Sequence, residues 1–184
     1  MFIQTESTPN PETLKFLPGR TVLADDTRDY RSVEAAGESP LASAIFSISG
    51  VTGVFFGYDF VAVTKSGAEW QHLKPAILGA IMEHFVAGTP LFAGEQTAAD
   101  EDEFFEADDS ETVATIKELL ETRIRPAVAN DGGDITFKGY RDGVVYLTMK
   151  GACSGCPSST ATLRHGIQNL LKHFLPDVQE VRAA

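Results

Sequence analysis

The chain has 184 residues, 43% of them hydrophobic, with two cysteines and a formal net charge of −11. That length suits two small domains and the composition supports a core in each. The negative balance argues against a nucleic-acid binder that neutralises phosphates, no run approaches the roughly 18 apolar residues of a membrane span, and two cysteines are too few for a disulfide framework.

Residues 2–5 and 14–17 read as short strands separated by the turn Thr8-Pro9-Asn10-Pro11. Residues 20–38 are polar and read as a loop or an irregular strand. Ser39-Pro40 opens a helix, serine as N-cap and proline in the first turn, with Leu41, Ala44, Ile45 and Ile48 as its apolar stripe and Gly50 as its end. Residues 51–64 form a β-hairpin around Gly57-Tyr58-Asp59. A second stripe, Trp70, Leu73, Ile77, Ile81 and Phe85, marks a helix that Pro75 should kink or delay. The expectation is a compact α/β domain over residues 1–88. His72 and His84 lie too far apart for one metal site and read as solvated or capping histidines, and Trp70 reads as a core anchor.

Composition then changes. Residues 95–111 hold nine acidic side chains and no basic one, which leaves about −2 for the rest of the chain. Residues 89–110 therefore read as an acidic, flexible linker held extended by like charges. Phe104-Phe105 breaks the pattern, and a pair of aromatics set in acid can instead dock on a partner or on one of the domains.

From residue 111 the chain is ordered again. Val113, Ile116, Leu120 and Ile124 give a helical stripe, with Ser110 as N-cap and Pro126 kinking or ending the helix. Asn130-Asp131-Gly132-Gly133-Asp134 turns the chain, its glycines admitting positive φ. Residues 135–140 and 144–149 alternate around Arg141-Asp142-Gly143, a hairpin pattern. After the cysteines, Pro157 starts a helix with Leu163, Ile167, Leu170, Leu171 and Phe174 on its buried face, and residues 178–181 add a last strand. Residues 111–184 thus form a second small domain, and the fold class expected is α+β, two small α/β domains joined by the acidic linker.

The two cysteines, Cys153 and Cys156, are spaced Cys-x-x-Cys at the start of that helix. Unpaired N–H groups and the helix dipole there favour thiolate, so both thiols should ionise easily. Two thiolates can grip one metal centre or close as a disulfide. A cubane iron–sulfur cluster or a closed zinc site takes about four protein ligands. His165 reads as a surface residue, so one chain is short of ligands and two chains, each giving one Cys-x-x-Cys across a twofold axis, complete the set.

The segments 125–134 (Arg-Pro-Ala-Val-Ala-Asn-Asp-Gly-Gly-Asp) and 151–159 (Gly-Ala-Cys-Ser-Gly-Cys-Pro-Ser-Ser) resemble the C-terminal domain of NifU-type (Nfu) iron–sulfur scaffold proteins. The opening Thr5-Glu6-Ser7-Thr8-Pro9-Asn10-Pro11 through Lys15-Phe16, and Leu73-Lys74-Pro75, resemble that family's N-terminal domain. The resemblance covers nearly the whole chain. It implies that Cys153 and Cys156 ligate a 4Fe-4S cluster shared between two subunits. It also implies a carrier that is a homodimer when loaded, receives clusters from upstream assembly proteins and delivers them to apo iron–sulfur clients. No hydrolytic or transferase constellation is visible in the residues, so the chain is not expected to be an enzyme. Asp131, Gly132, Gly133 and Asp134 match a family signature, and a structural role is expected for them.

Two other readings of the same cysteines stand beside this one. A structural zinc-bridged dimer uses the same four thiolates. A dithiol–disulfide oxidoreductase also places Cys-x-x-Cys at a helix start, although here an antiparallel hairpin precedes the pair in place of a β-α-β unit. The N-terminus lacks a basic region and an apolar signal core, from which a cytoplasmic location is expected.

Overall fold

The computed structural model describes residues 1–24, 26–94, 103–155 and 157–183, with the backbone alone described at 154, 155 and 157–159. The chain divides into two units, Met1–Ala98 and Ala99–Ala184. Both combine helices with a sheet, so the fold is α+β as expected.

In the first unit, strands β1 (Gln4–Ser7), β2 (Thr13–Leu17), β3 (Arg28–Tyr30), β4 (Val51–Phe56) and β5 (Val61–Lys65) form an antiparallel sheet in the order β1-β2-β5-β4-β3. Alternate residues Leu14, Phe16, Val54, Phe56, Val61 and Val63 share one core with Leu41 and Ile45 of α1 (Pro40–Phe46) and Leu73, Ile77 and Ile81 of α2 (Trp70–Ala87). The period of two in the strands and of three to four in the helices puts these side chains on facing surfaces. Ser39 caps α1 as the sequence indicates, its Oγ accepting from the Ala42 N–H at 3.3 Å.

Several expectations are corrected. The polar stretch 20–38, expected as a loop or an irregular strand, does hold a short edge strand, β3, and adds an unexpected 3-10 turn, Ala35–Glu38. Tyr30 anchors that strand, its ring edge-on to Phe56 and its hydroxyl donating to Glu38 Oε1 at 2.6 Å. A three-residue edge strand with one buried side chain gives too short a pattern for periodicity to reveal. Pro75 sits inside α2 without delaying its start at Trp70, and Gln71, four residues before it, is exposed to solvent. His84 is buried in place of solvated, while His72 is exposed. Trp70 is a half-buried rim residue whose indole N–H donates to the Pro11 carbonyl at 3.1 Å.

The segment read as linker is held at both ends. The Ala93 N–H donates to the Glu38 carbonyl at 2.7 Å, and Phe92 packs on the first core. In the second unit Phe104 forms a parallel bridge with Gly139: its N–H donates to Lys138 O at 3.1 Å and its carbonyl accepts from Tyr140 N–H at 2.9 Å. Its ring lies 5.2 Å from that of Tyr146. The bridge uses a β-bulge at Lys138, where the register slips between Phe137 and Gly139 and frees backbone groups from the ladder. The acidic centre of the expected linker, residues 95–102, lies outside the described residues.

The second unit is a three-stranded sheet, β6 (Gly133–Arg141), β7 (Val144–Gly151) and β8 (Glu180–Ala183), with β8 parallel to β7. Helix α3 (Ser110–Leu119) starts at Ser110, one residue later in role than the N-cap expected of it. It runs through a π-turn, Leu120–Ile124, into α4 (Arg125–Asn130). Pro126 explains the π-turn: it has no N–H to offer Thr122, and the Arg125 N–H reaches back to Leu120 O instead. The helix is re-phased, not ended. Short α5 (Ala152–Gly155) and long α6 (Pro157–Phe174) follow the hairpin.

Candidate metal centre

The centre is built on the β6–β7 hairpin. Asp142 and Gly143 both take positive φ, 51° and 78°, so the two strands are joined by a turn whose twist matches theirs. At the opposite end Gly133 pairs with Gly151, and Gly151 turns the chain at φ 67° into α5. The Ala152 N–H donates to the Gly132 carbonyl at 3.2 Å, which ties the start of α5 to the turn before β6.

Cys153 occupies this corner. It is only 6% exposed and belongs to the same core as Ile135, Met149 and Ile167. Thr160 of α6 donates its hydroxyl to the Cys153 carbonyl at 2.6 Å, which fixes the angle between α5 and α6. A Cβ on Gly133 would lie 2.8 Å from the Cys153 sulfur, so strand β6 can pass the thiol only as bare backbone. Gly132 serves the turn differently, by its φ of 82°.

Asp134 and Arg125 hold the floor of the corner. Asp134 is 4% exposed and takes a two-pronged ion pair from Arg125, Nε to Oδ1 at 2.8 Å and Nη2 to Oδ2 at 2.9 Å. Its Oδ1 also accepts from the Ile135 N–H at 2.8 Å. Arg125 reaches Glu121 as well, and these bonds, that to Asp134 first, hold its guanidinium above the usual pKa. The π-turn aims Arg125 across at β6, so the arginine-proline pair and the Asp-Gly-Gly-Asp turn act as one unit.

The electrostatics correct one expectation. The Cys153 thiol is pushed up to about 11 by burial, and further by the carboxylates of Asp131 and Asp134. It does not ionise easily in this state: α5 has four residues, and its dipole is outweighed by desolvation and two like charges. Cys156, the other expected ligand, lies outside the described residues. Among the described residues no three His, Cys, Asp or Glu side chains converge on a possible metal position. His165 is exposed, as the sequence indicates. The sequence alone assigns Arg125 no role of its own. Its only signal there was its place in the family motif, because nothing local indicates that residues 125 and 134 meet.

Residues 3–88 match the family described as scaffold protein Nfu/NifU N terminal, and residues 116–182 match the NifU-like domain. The chain belongs to the Nfu/NifU-like family. It is 55% identical over 184 residues to NifU-like protein 4, mitochondrial, of Arabidopsis thaliana, covering 98% of this chain and 65% of that one. It is 53% identical to the NFU1 iron-sulfur cluster scaffold homolog, mitochondrial, of Drosophila sechellia (98% and 64%). To the protein of the same name in Homo sapiens it is 50% identical (98% and 71%). This Nfu/NifU-like chain thus spans about two thirds of the length of these relatives. All three are named as mitochondrial, which overturns the cytoplasmic expectation drawn from the N-terminal residues.

Proposed function

We propose that the chain is a non-enzymatic iron–sulfur cluster scaffold and carrier. In this reading Cys153 and Cys156 of two copies together hold one 4Fe-4S cluster as cargo and release it to apo iron–sulfur proteins. The observation that carries the reading is the corner at Cys153: a soft sulfur donor held against bare glycine backbone at the junction of β7 and α5, within a chain of this family. The relatives' names, iron-sulfur cluster scaffold homolog, support the cargo.

The chain's own residues do the following. Gly133 keeps a Cβ atom away from the sulfur. Arg125 and Asp134 lock the turn that carries Gly133. Thr160 pins α5 to α6. Ligation replaces the S–H proton of each thiol by iron and releases that proton to solvent, so loading draws Cys153 out of its protonated resting state. A ligand that sits protonated and buried when empty favours giving the cargo away. Upstream assembly proteins as donors, apo-proteins as acceptors and the loaded homodimer are parts of the same proposal.

Anaerobic reconstitution with iron and sulfide, read as metal content, visible and Mössbauer spectra and mass by light scattering, tests it. A shared cubane gives roughly two irons and two sulfides per chain in a dimer, and Cys153→Ser or Cys156→Ser removes it while the chain stays folded. A zinc-filled dimer without iron, or a reversible disulfide within one chain, would overturn it.

A further inference from the structure

If one cluster is shared between two copies, as proposed above, the cysteine sulfurs of each copy must reach its surface. Cys153 is turned the other way. It is buried in the core with Ile135, Met149 and Ile167. Its sulfur lies against the β6 backbone, close enough that a Cβ on Gly133 would stand 2.8 Å from it. A sulfur packed between a strand and its own core is out of reach of a second chain, so loading has to part Cys153 from β6.

The surroundings of the corner determine how it parts. Gly151, the last residue of β7, has a φ of 67°, a region that glycine enters and leaves without a Cβ penalty. A change of backbone angles at this one residue carries Cys153 outward while the rest of the β6–β7 ladder stays paired. Helix α6 stays behind, because Ile167 and Leu171 are buried in the core. The outward turn therefore breaks the bond from the Thr160 hydroxyl to the Cys153 carbonyl, 2.6 Å, and the bond from the Ala152 N–H to the Gly132 carbonyl, 3.2 Å. The first of these is made by a side chain that ligates nothing in the proposed site.

We propose that Thr160 is a positioning residue for cargo exchange. Its hydrogen bond holds Cys153 inward in the empty chain, loading breaks that bond as the corner turns about Gly151, and its re-formation favours release. The affinity for cargo scales with the fraction of chains whose Cys153 is outward. A bond made only in the inward state lowers that fraction, so Thr160 weakens retention, as a carrier requires.

Iodoacetamide modification of the iron-free Cys156→Ser chain, followed by mass spectrometry, reads Cys153 alone. At one pH the native chain should react at least about tenfold more slowly than the same chain unfolded in urea. Adding Thr160→Val should speed the native reaction about fivefold, the effect of losing one net hydrogen bond, and Thr160→Ser should restore the slow rate. The chain with both cysteines is then reconstituted with ferrous iron and sulfide and titrated with EDTA. Thr160→Val should hold iron more tightly, about fivefold for each chain and about 25-fold for a cluster shared by two. A threonine that merely supports the site gives the opposite sign, because loosening a site weakens it. Modification of the native parent at the unfolded rate, or Thr160→Val holding iron no more tightly than Thr160→Ser, would overturn the proposal. Alkylation needs no iron, so the two readings fail separately. Absence of iron uptake by the parent chain overturns the shared site, whereas uptake that is indifferent to Thr160→Val overturns the role of Thr160 alone.

Discussion

Gly133 and Cys153 meet without an intervening side chain. A Cβ on Gly133 would sit 2.8 Å from the sulfur and 2.7 Å from the Lys150 carbonyl oxygen, both far inside ordinary contact. The β6–β7 ladder fixes one side of this contact, since Gly133 pairs with Gly151, and the Thr160–Cys153 hydrogen bond fixes the other.

Gly133→Ala should therefore displace either the strand or the thiol. We expect a loss of about 1–3 kcal/mol in stability and reduced iron loading at matched protein concentration. Denaturant midpoint and iron per chain are the readouts. A variant with the parental midpoint and full loading would mean that the corner is loose.

Arg125→Ala leaves the 4%-exposed Asp134 carboxylate without its two-pronged partner. Removing one member of a largely buried pair costs more than the pair contributes, so a destabilisation of about 2–3 kcal/mol is expected. Arg125→Lys should recover only part of it, because an ammonium cannot span both carboxylate oxygens. Equal midpoints for the lysine and alanine variants would argue that the fork geometry is irrelevant.

The pH dependence of the metal-free chain follows from Cys153. Its folded pKa, pushed up to about 11, lies above the ordinary thiol value of 9.0. A group raised on folding binds its proton more tightly in the native state, so it stabilises fully below the ordinary value and that contribution is lost as pH rises toward 11. Burial raises Tyr30 and Tyr140 as well, adding losses above pH 10. Thermal melts of the apo chain between pH 8 and 11 should fall, and Cys153→Ala should flatten the early part of that fall. An unchanged slope in the variant would mean that the thiol is solvated in solution.

Phe104 should report on the segment joining the units. Its carbonyl accepts the Tyr140 N–H and its ring covers Gly139, where a Cβ would fall 2.4 Å from the ring. Gly139→Val should expel Phe104 and expose the Tyr140 amide, raising its hydrogen exchange about tenfold, equivalent to about 1.4 kcal/mol of lost protection. Protection retained in the variant would place the bridge's stability elsewhere.

What could be read from the chain alone was whatever depends on near neighbours. The Ser39 cap, the Asp142-Gly143 turn, the stripes of α1, α2, α3 and α6 (except Ala44 and Phe174, which are exposed where a buried face was expected) and the β4–β5 and β6–β7 hairpins are set by spacing and turn chemistry over a few residues. The Cys-x-x-Cys pair and the family motifs were equally local. Tertiary structure decided the rest. It made β3 a strand through Tyr30's distant contacts, and buried His84 at a groove between two helices. It also docked Phe104 on a bulge 35 residues away and joined Arg125 to Asp134 through a π-turn. Above all it reversed the expected ionisation of Cys153. A helix start favours thiolate over one or two turns of sequence, but desolvation and the carboxylates of Asp131 and Asp134 act through space, and only the folded chain brings them to the sulfur.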